Sequence, residues 1–191
     1  TRASIMTGQL PARLGFTAPC GHLGREQLEA QLPADEVSPS HRAIQTISAS
    51  RLDTRLPTLG KRFRDARYAT GYMGKWHLGH DPYNQQNHGF DTVWGRPQYP
   101  APVGGYFYPG CTDVCPGGAD GEHIDDFVTD RAIDFIRDHC EQPFFTFLSL
   151  YDVHSPFEGK QDLIDKYRAK RTPYSRPQSH PVYGAMVEQA D

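Results

Sequence analysis

Phe144-Phe-Thr-Phe-Leu-Ser-Leu-Tyr151 is the stretch on which the fold turns. It is an apolar run of β-forming side chains, the composition of a central strand buried on both faces. The longest apolar stretch, Pro143 to Leu150, is far too short to span a bilayer. Immediately after it comes Asp152-Val-His154-Ser-Pro156-Phe. Ligands of open α/β sheets bind beyond the carboxyl ends of strands, so His154 is a candidate site residue. The plainer alternative is a loop histidine bonded to a carbonyl.

Working outward, Ile124, Phe127, Val128, Ala132, Phe135 and Ile136 form one helical face, which predicts a helix over 123–138. Asp125 and Asp126 fall inside that pattern beside Asp130 and Asp134, which reads as a solvated helix face rather than paired metal carboxylates. Further upstream, Tyr68 to His77 reads as a strand, core 68–75, with two glycines where something approaches the backbone closely. Gly89 to Trp94 reads as another strand. Leu52, Leu56, Leu59 and Phe63 fall on one helical face, predicting a helix over 54–67. Short helices are expected over Arg2–Thr7, with Gly8 as C-cap, near 162–170, and from Tyr183 onward. Residues 16–51 and 96–121, rich in Pro, Gly and polar groups, read mostly as loop. Helices alternating with buried strands predict an α/β fold, a mostly parallel central sheet covered by helices on both faces.

Composition narrows the function classes. The chain has 191 residues, a net charge of −3, 16 prolines and 18 glycines. Its mean hydropathy is −0.65, with aromatics at 12% to carry burial. That is one domain's worth of chain, and no basic field points to nucleic acid or an anionic membrane. The chain begins with Thr1 and stops at Asp191 inside a predicted helix, so an internal piece of a longer protein is expected.

Three further residues bear on chemistry. On a strand, Lys75 and His77 share a face while Trp76 points into the core. A cation beside an imidazole suits an anionic substrate with proton traffic, whereas the bland alternative is a solvated strand end. Arg2 opens a helix, with Thr1 as a possible N-cap; it is either part of an anion site or an exposed, fraying first turn. If the strands ending near Lys75 and Tyr151 are parallel, their polar residues arrive at the same edge. The cysteines are Cys20, Cys111, Cys115 and Cys140. No second pair is placed to complete a zinc site with Cys111 and Cys115. A local disulfide is expected if the parent is exported, and free thiols otherwise.

Several segments together resemble the type I sulfatases, the arylsulfatase-like, formylglycine-dependent branch of the alkaline phosphatase superfamily. Thr1-Arg-Ala-Ser-Ile-Met-Thr-Gly8 is similar to the tail of the first signature, Cys-x-Pro-Ser/Thr-Arg followed by a short helix. Gly71-Tyr-Met-Gly-Lys-Trp-His-Leu-Gly79 resembles the second signature nearly throughout. His88 to Gly95, Pro143 to Phe157 and Tyr183 to Asp191 resemble later blocks in the right order. Residues 16–51 and 96–121 do not match, as variable substrate-facing loops would not.

The resemblance implies an alkaline-phosphatase-like sandwich, of which residues 1–191 would be part of the N-terminal catalytic domain, with both flanks outside the chain. It implies a sulfuric ester hydrolase acting on sulfate monoesters, with sulfated carbohydrate as the expected substrate. The alternatives are a phosphonate or phosphate ester hydrolase of the same superfamily and a catalytically dead relative that binds sulfated glycans. In the family, a cysteine oxidised to formylglycine provides the nucleophile and a calcium ion is held by oxygen ligands. Arg2 matches the signature arginine beside that nucleophile, Lys75 the lysine on the sulfate oxygens, His77 the histidine on the hydrate, and His154 the histidine at the leaving oxygen. The cysteine would lie upstream of Thr1, and the calcium ligands on either side of the chain. No metal ligand is therefore expected within residues 1–191, and the chain alone is expected to be inactive. A formylglycine-generating or equivalent maturation enzyme and an extracytoplasmic location also follow from the resemblance.

Overall fold

The computed structural model describes residues 2–19, 21–33, 46–95, 102–170 and 180–191. Its centre is a sheet of three parallel strands in the order β2–β1–β3, with β1 at Ala69–Gly74, β2 at Thr92–Trp94 and β3 at Phe144–Ser149. β1 pairs with β3 along its whole length, from Ala69 opposite Phe144 to Gly74 opposite Ser149. Both strands therefore end at the same edge, as parallel pairing requires.

Alternation along the strands sends side chains to two cores. Tyr72, Phe145 and Phe147 face one side, with α1 (Arg2–Thr7) and α2 (Leu59–Asp65); there Tyr72 stacks on Phe147, and Phe63 stacks on Phe145 with centroids 4.0 Å apart. Met73 and Phe144 face the other, against Phe127, Val128 and Phe135 of α3 (Ile124–His139). Gly71 sits close on this side, where a Cβ would stand 3.0 Å from the Phe135 ring. The expected α/β sheet with helices on both faces is what the chain forms. α4 (Gln161–Ala169) and α5 (Pro181–Ala190) pack on each other.

The structure corrects four expectations. Among the described residues β3 lies at the edge of the sheet rather than at its centre: β1 occupies the middle, and Leu148 of β3 is 40% exposed. Its apolar composition signalled strand without revealing how many neighbours flank it among the described residues. The helix expected over 54–67 begins only at Leu59. Pro57 disfavours helical geometry at Leu56, and Thr58 is extended at the N-cap. Leu52 and Leu56 still reach the core, but from irregular backbone and a bend ahead of the helix. The strand expected to run to His77 ends at Gly74, whose φ is +104°. A Cβ at Gly74 would lie 2.0 Å from the Ser149 carbonyl oxygen, so this close crossing admits only glycine. The fourth correction, at Asp125, belongs with the site below. The possible caps and bridges involving Thr1 and Cys20 lie outside the described residues.

Cys111 and Cys115 are joined by a disulfide and both are fully buried. Cys140 is a free, exposed thiol. No helix among the described residues is long and apolar enough to cross a membrane.

Candidate functional site

Beyond the shared edge of β1 and β3 lies a cavity of about 570 Å³. Arg2, Lys75, His77 and Ser149 contribute its polar wall, and Phe16 to Pro19 with Phe147 much of the remainder. No carboxylate lines it among the described residues. The strand ends explain the assembly. The Lys75 N–H donates to the Ser149 carbonyl at 2.8 Å, extending the ladder one step past Gly74. Trp76 is then driven fully into the core, where its indole N–H donates to the Tyr83 carbonyl at 2.9 Å. His77 follows with a φ of +56°, in the left-handed region that a histidine seldom occupies. Lys75 and His77 do share the cavity, but this turn, not strand alternation, brings them there.

Arg2 reaches the same place from α1. Its guanidinium donates to the Trp76 carbonyl and to Ser149 Oγ, each at 3.0 Å. Ser149 went unrecognised in the sequence. Its signal was parity: it follows Phe145 and Phe147 at two-residue steps and so shares their face.

The cavity carries a strong electrostatic bias. Burial, reinforced by the neighbouring Arg2 charge, lowers the Lys75 ammonium to about 8. Burial also lowers His77 to about 4, with Lys75, His22, Arg2 and His154 adding to the effect. His77 is thus neutral through the physiological range, beside two cations with no acidic partner in the wall. Such a site favours an anion and a neutral imidazole able to accept a proton.

His154 sits at the same edge, in the turn after β3, close enough for its charge to oppose protonation of His77. It is not part of the cavity wall. Its Nδ1–H donates to the Ser155 carbonyl at 2.6 Å, which leaves Nε2 to gain or release a proton. The turn is held from below. The Tyr106 hydroxyl lies 2.8 Å from the His154 carbonyl and 3.2 Å from that of Tyr151. The two Asp125 oxygens accept the Tyr151 and Asp152 N–H groups at 2.8 and 2.9 Å.

Asp125 is therefore not on a solvated face. It is 3% exposed and anchors the loop that carries His154. The spacing held a warning, because Asp125 shares a helical face with Val128 and Ala132, three and seven residues on, both buried. Asp126, its neighbour, does reach the surface region and pairs with Lys160 at 2.7 Å.

His22 is a second residue that sequence reasoning passed over. Its Nδ1 lies 3.0 Å from His77 Nε2, and the two rings stack with centroids 5.3 Å apart. Nothing in the loop's composition marked it.

Two places bear on metal binding. The cavity presents cations and an imidazole rather than the oxygen-rich set a calcium ion requires, so its described residues do not fit that ion. His123, Asp125 and Asp152 cluster in the interior, with ligand atoms within 4.8 Å of one another. They are a possible metal site, because His123 Nε2 and both Asp152 carboxylate oxygens are buried without a hydrogen-bond partner. His123 Nδ1 accepts the Asp125 N–H at 3.2 Å, so the neutral ring carries its hydrogen on Nε2, on the side of Asp152. Burial and the adjacent Asp125 push the Asp152 carboxyl up to about 8, and Asp125 is raised as well, chiefly by burial.

Comparison with known proteins identifies the family. The sulfatase family model matches residues 1–191, the whole chain. The chain belongs to the sulfatase family. It is 27% identical over 185 residues to the N-acetylgalactosamine-6-sulfatase of Sus scrofa, covering 86% of this chain and 32% of that protein. It is 26% identical over 217 residues to an arylsulfatase of Hemicentrotus pulcherrimus, covering 100% of this chain and 35% of that one. This sulfatase chain thus spans about a third of the length of these curated relatives. Among solved structures it is similar in fold to Ps i-CgsB in complex with k-i-k-neocarrahexaose, with a TM-score of 0.67 at 20% identity, over 97% of this chain and 40% of that one. The alkaline-phosphatase-like architecture is thereby shared.

Proposed function

We propose that the full-length protein hydrolyses sulfate monoesters, and that residues 1–191 are part of its N-terminal catalytic domain. The observation that carries this reading is the convergence of Arg2, Lys75 and His77 on one cavity whose described wall holds no carboxylate. Two fixed cations there are suited to the oxygens of a sulfate group. Electrostatic stabilisation of such oxygens is usually the largest catalytic contribution.

Their positions support the following roles. Arg2 and Lys75 bind and orient the sulfate. His77, neutral above about pH 4, takes up a proton from a hydroxyl during expulsion of the product. His154, with Nε2 unengaged by the Ser155 carbonyl, supplies a proton to the departing alcohol oxygen. Family membership supports a formylglycine upstream of Thr1 as the source of the nucleophilic oxygen, made by a maturation enzyme. It likewise supports a calcium ion held by residues outside this chain. Without those groups, residues 1–191 alone are inactive on this reading.

Sulfated carbohydrate is the proposed substrate class. One relative is named for a 6-sulfated amino sugar and one fold neighbour binds a neocarrahexaose. The Cys111–Cys115 disulfide supports an extracytoplasmic location, since such bonds persist in oxidising compartments.

The test is a kinetic comparison of the purified full-length protein on matched sulfate, phosphate and phosphonate esters, including 6-O-sulfated N-acetylgalactosamine. The expected result is a kcat/KM highest for sulfate. A preference for phosphonate esters would move the protein to a sister activity. Binding of sulfated glycan without turnover would make it a lectin-like relative.

A further inference from the structure

The loop carrying His22 is seated on the site by means unlike those of an ordinary surface loop. Arg51 is fully buried, and its guanidinium donates to the Gly21 carbonyl at 3.1 Å and to the Leu23 carbonyl, the residues on either side of His22. It also donates to the Ser50 carbonyl and to His80 Nε2, each at 2.8 Å. His80 is fixed in turn, because its Nδ1–H donates to the Asp81 carbonyl at 2.8 Å. Gly21 lies flat against the backbone of His77: a Cβ at this position would stand 2.2 Å from the His77 carbonyl oxygen. The chain thus places a buried cation, a glycine and a second histidine so that His22 Nδ1 meets His77 Nε2 at 3.0 Å.

Two imidazole nitrogens at that distance share one hydrogen, and which ring owns it decides the chemistry of the other. We propose that His22 is a positioning residue of the site: its Nδ1 accepts the Nε2–H of His77, holding His77 in the tautomer whose Nδ1 is the free basic nitrogen. The inference rests on His77 acting as a base in the proposed function.

The proton balance is simple. When His77 Nδ1 takes a proton from a hydroxyl, His77 Nε2–H passes its own proton to His22 Nδ1, and the positive charge moves to His22. His77 is faced by Lys75, Arg2, His22 and His154, all opposing a cation on it. His22 is exposed, so water stabilises the charge there better than the cavity does. The proton then leaves His22 from its solvent side.

The experiment uses the full-length protein. His22→Ala should lower kcat by at least about tenfold while KM stays within about twofold, because the loss falls on the base rather than on sulfate binding. His22→Gln offers an amide oxygen to the His77 Nε2–H and should recover most of the tautomer-dependent rate, with the acid limb of the pH profile still shifted because glutamine cannot take the proton. Gly21→Ala, which unseats the same loop, should resemble His22→Ala. ¹⁵N spectra of histidine-labelled protein at pH 7 should show His77 protonated on Nε2 in the wild type and distributed over both nitrogens in His22→Ala.

Wild-type kcat in His22→Ala at every pH, or a wild-type His77 protonated on Nδ1, overturns the proposal. The spectra report the tautomer with no substrate present. If the wild type turns over no sulfate ester, the functional reading fails while the tautomer assignment is still decided.

Discussion

The Arg2 guanidinium and the Ser149 hydroxyl are joined by a hydrogen bond of 3.0 Å across 147 positions of sequence. That bond fastens the first helix to the end of β3 and fixes one cation of the anion cavity. Ser149→Ala should therefore loosen Arg2 without removing its charge. The expected outcome is a rise in KM for sulfate esters of a few-fold with kcat less affected, measured by steady-state kinetics. An equal fall in kcat and kcat/KM would mean that the bond matters only in the transition state.

Lys75 and His154 should respond differently to truncation. Lys75→Ala removes a group that holds the sulfate throughout, so KM should rise as kcat falls. His154→Ala should slow sugar alcohol leaving groups about 10²- to 10⁴-fold and activated phenols far less. A leaving-group series on both variants checks this. The same loss on every ester would make His154 a binding or structural residue.

The lowered Lys75 ammonium sets an alkaline limit. Lys75 is charged below about pH 8 and loses its proton above it, so kcat/KM should fall as pH rises through that value. Because kcat/KM reports the free protein, bound sulfate does not mask the step. Lys75→Arg, which keeps its charge, should move the limb to higher pH even where its rate is lower. An unchanged limb in that variant would assign the step to another group.

Asp152 makes a prediction about stability. Its carboxyl is raised to about 8 in the folded chain, far above its unfolded value near 4. Between those values the folded state holds a proton that the unfolded state has lost. Stability from this group therefore falls as pH rises from about 4 to 8, and is level above. Asp152→Asn should remove that loss, with a gain in Tm that is small at pH 4 and grows to a few degrees at pH 8. Equal Tm values for the two proteins at pH 8 would contradict it.

Asp125 should behave oppositely. Asp125→Ala takes the carboxylate acceptor from the buried Tyr151 N–H and the partly buried Asp152 N–H, a cost of about 2–4 kcal/mol. Chemical denaturation measures it. Loss of less than about 1 kcal/mol would mean that water replaces the carboxylate.

Much of this arrangement was legible in the sequence because period and punctuation carried it. The face of α3 and the two glycines of β1 spoke through spacing, while the Lys-Trp-His segment was carried by its resemblance to a family signature. What escaped was set by partners distant in sequence. The strand alternation expected for Lys75 and His77 gave the right neighbours for the wrong reason, since β1 stops at Gly74 and a left-handed His77 does the turning. Asp125 was misjudged because acidity near a helix start resembles solvation, while its acceptor role depends on backbone 26 residues further on. Pro57 was visible, yet the leucine spacing across it imitated a longer helix. His22 had no signal at all: its position depends on Arg51, a residue that in sequence resembles any surface arginine.

The parallel pairing of β1 with β3 has a bearing on how the chain acquires its shape. Ala69 cannot find Phe144 until the intervening segment, β2 and α3 included, has been made and gathered in. Such non-local pairing requires closing a long loop before any β1–β3 ladder bond compensates, which slows the formation of this strand pair. On a ribosome, β1 emerges long before its partner, and its apolar face waits unpaired for the time needed to synthesise the rest. The interval is one in which a chaperone, or another nascent copy, has the first opportunity to bind it.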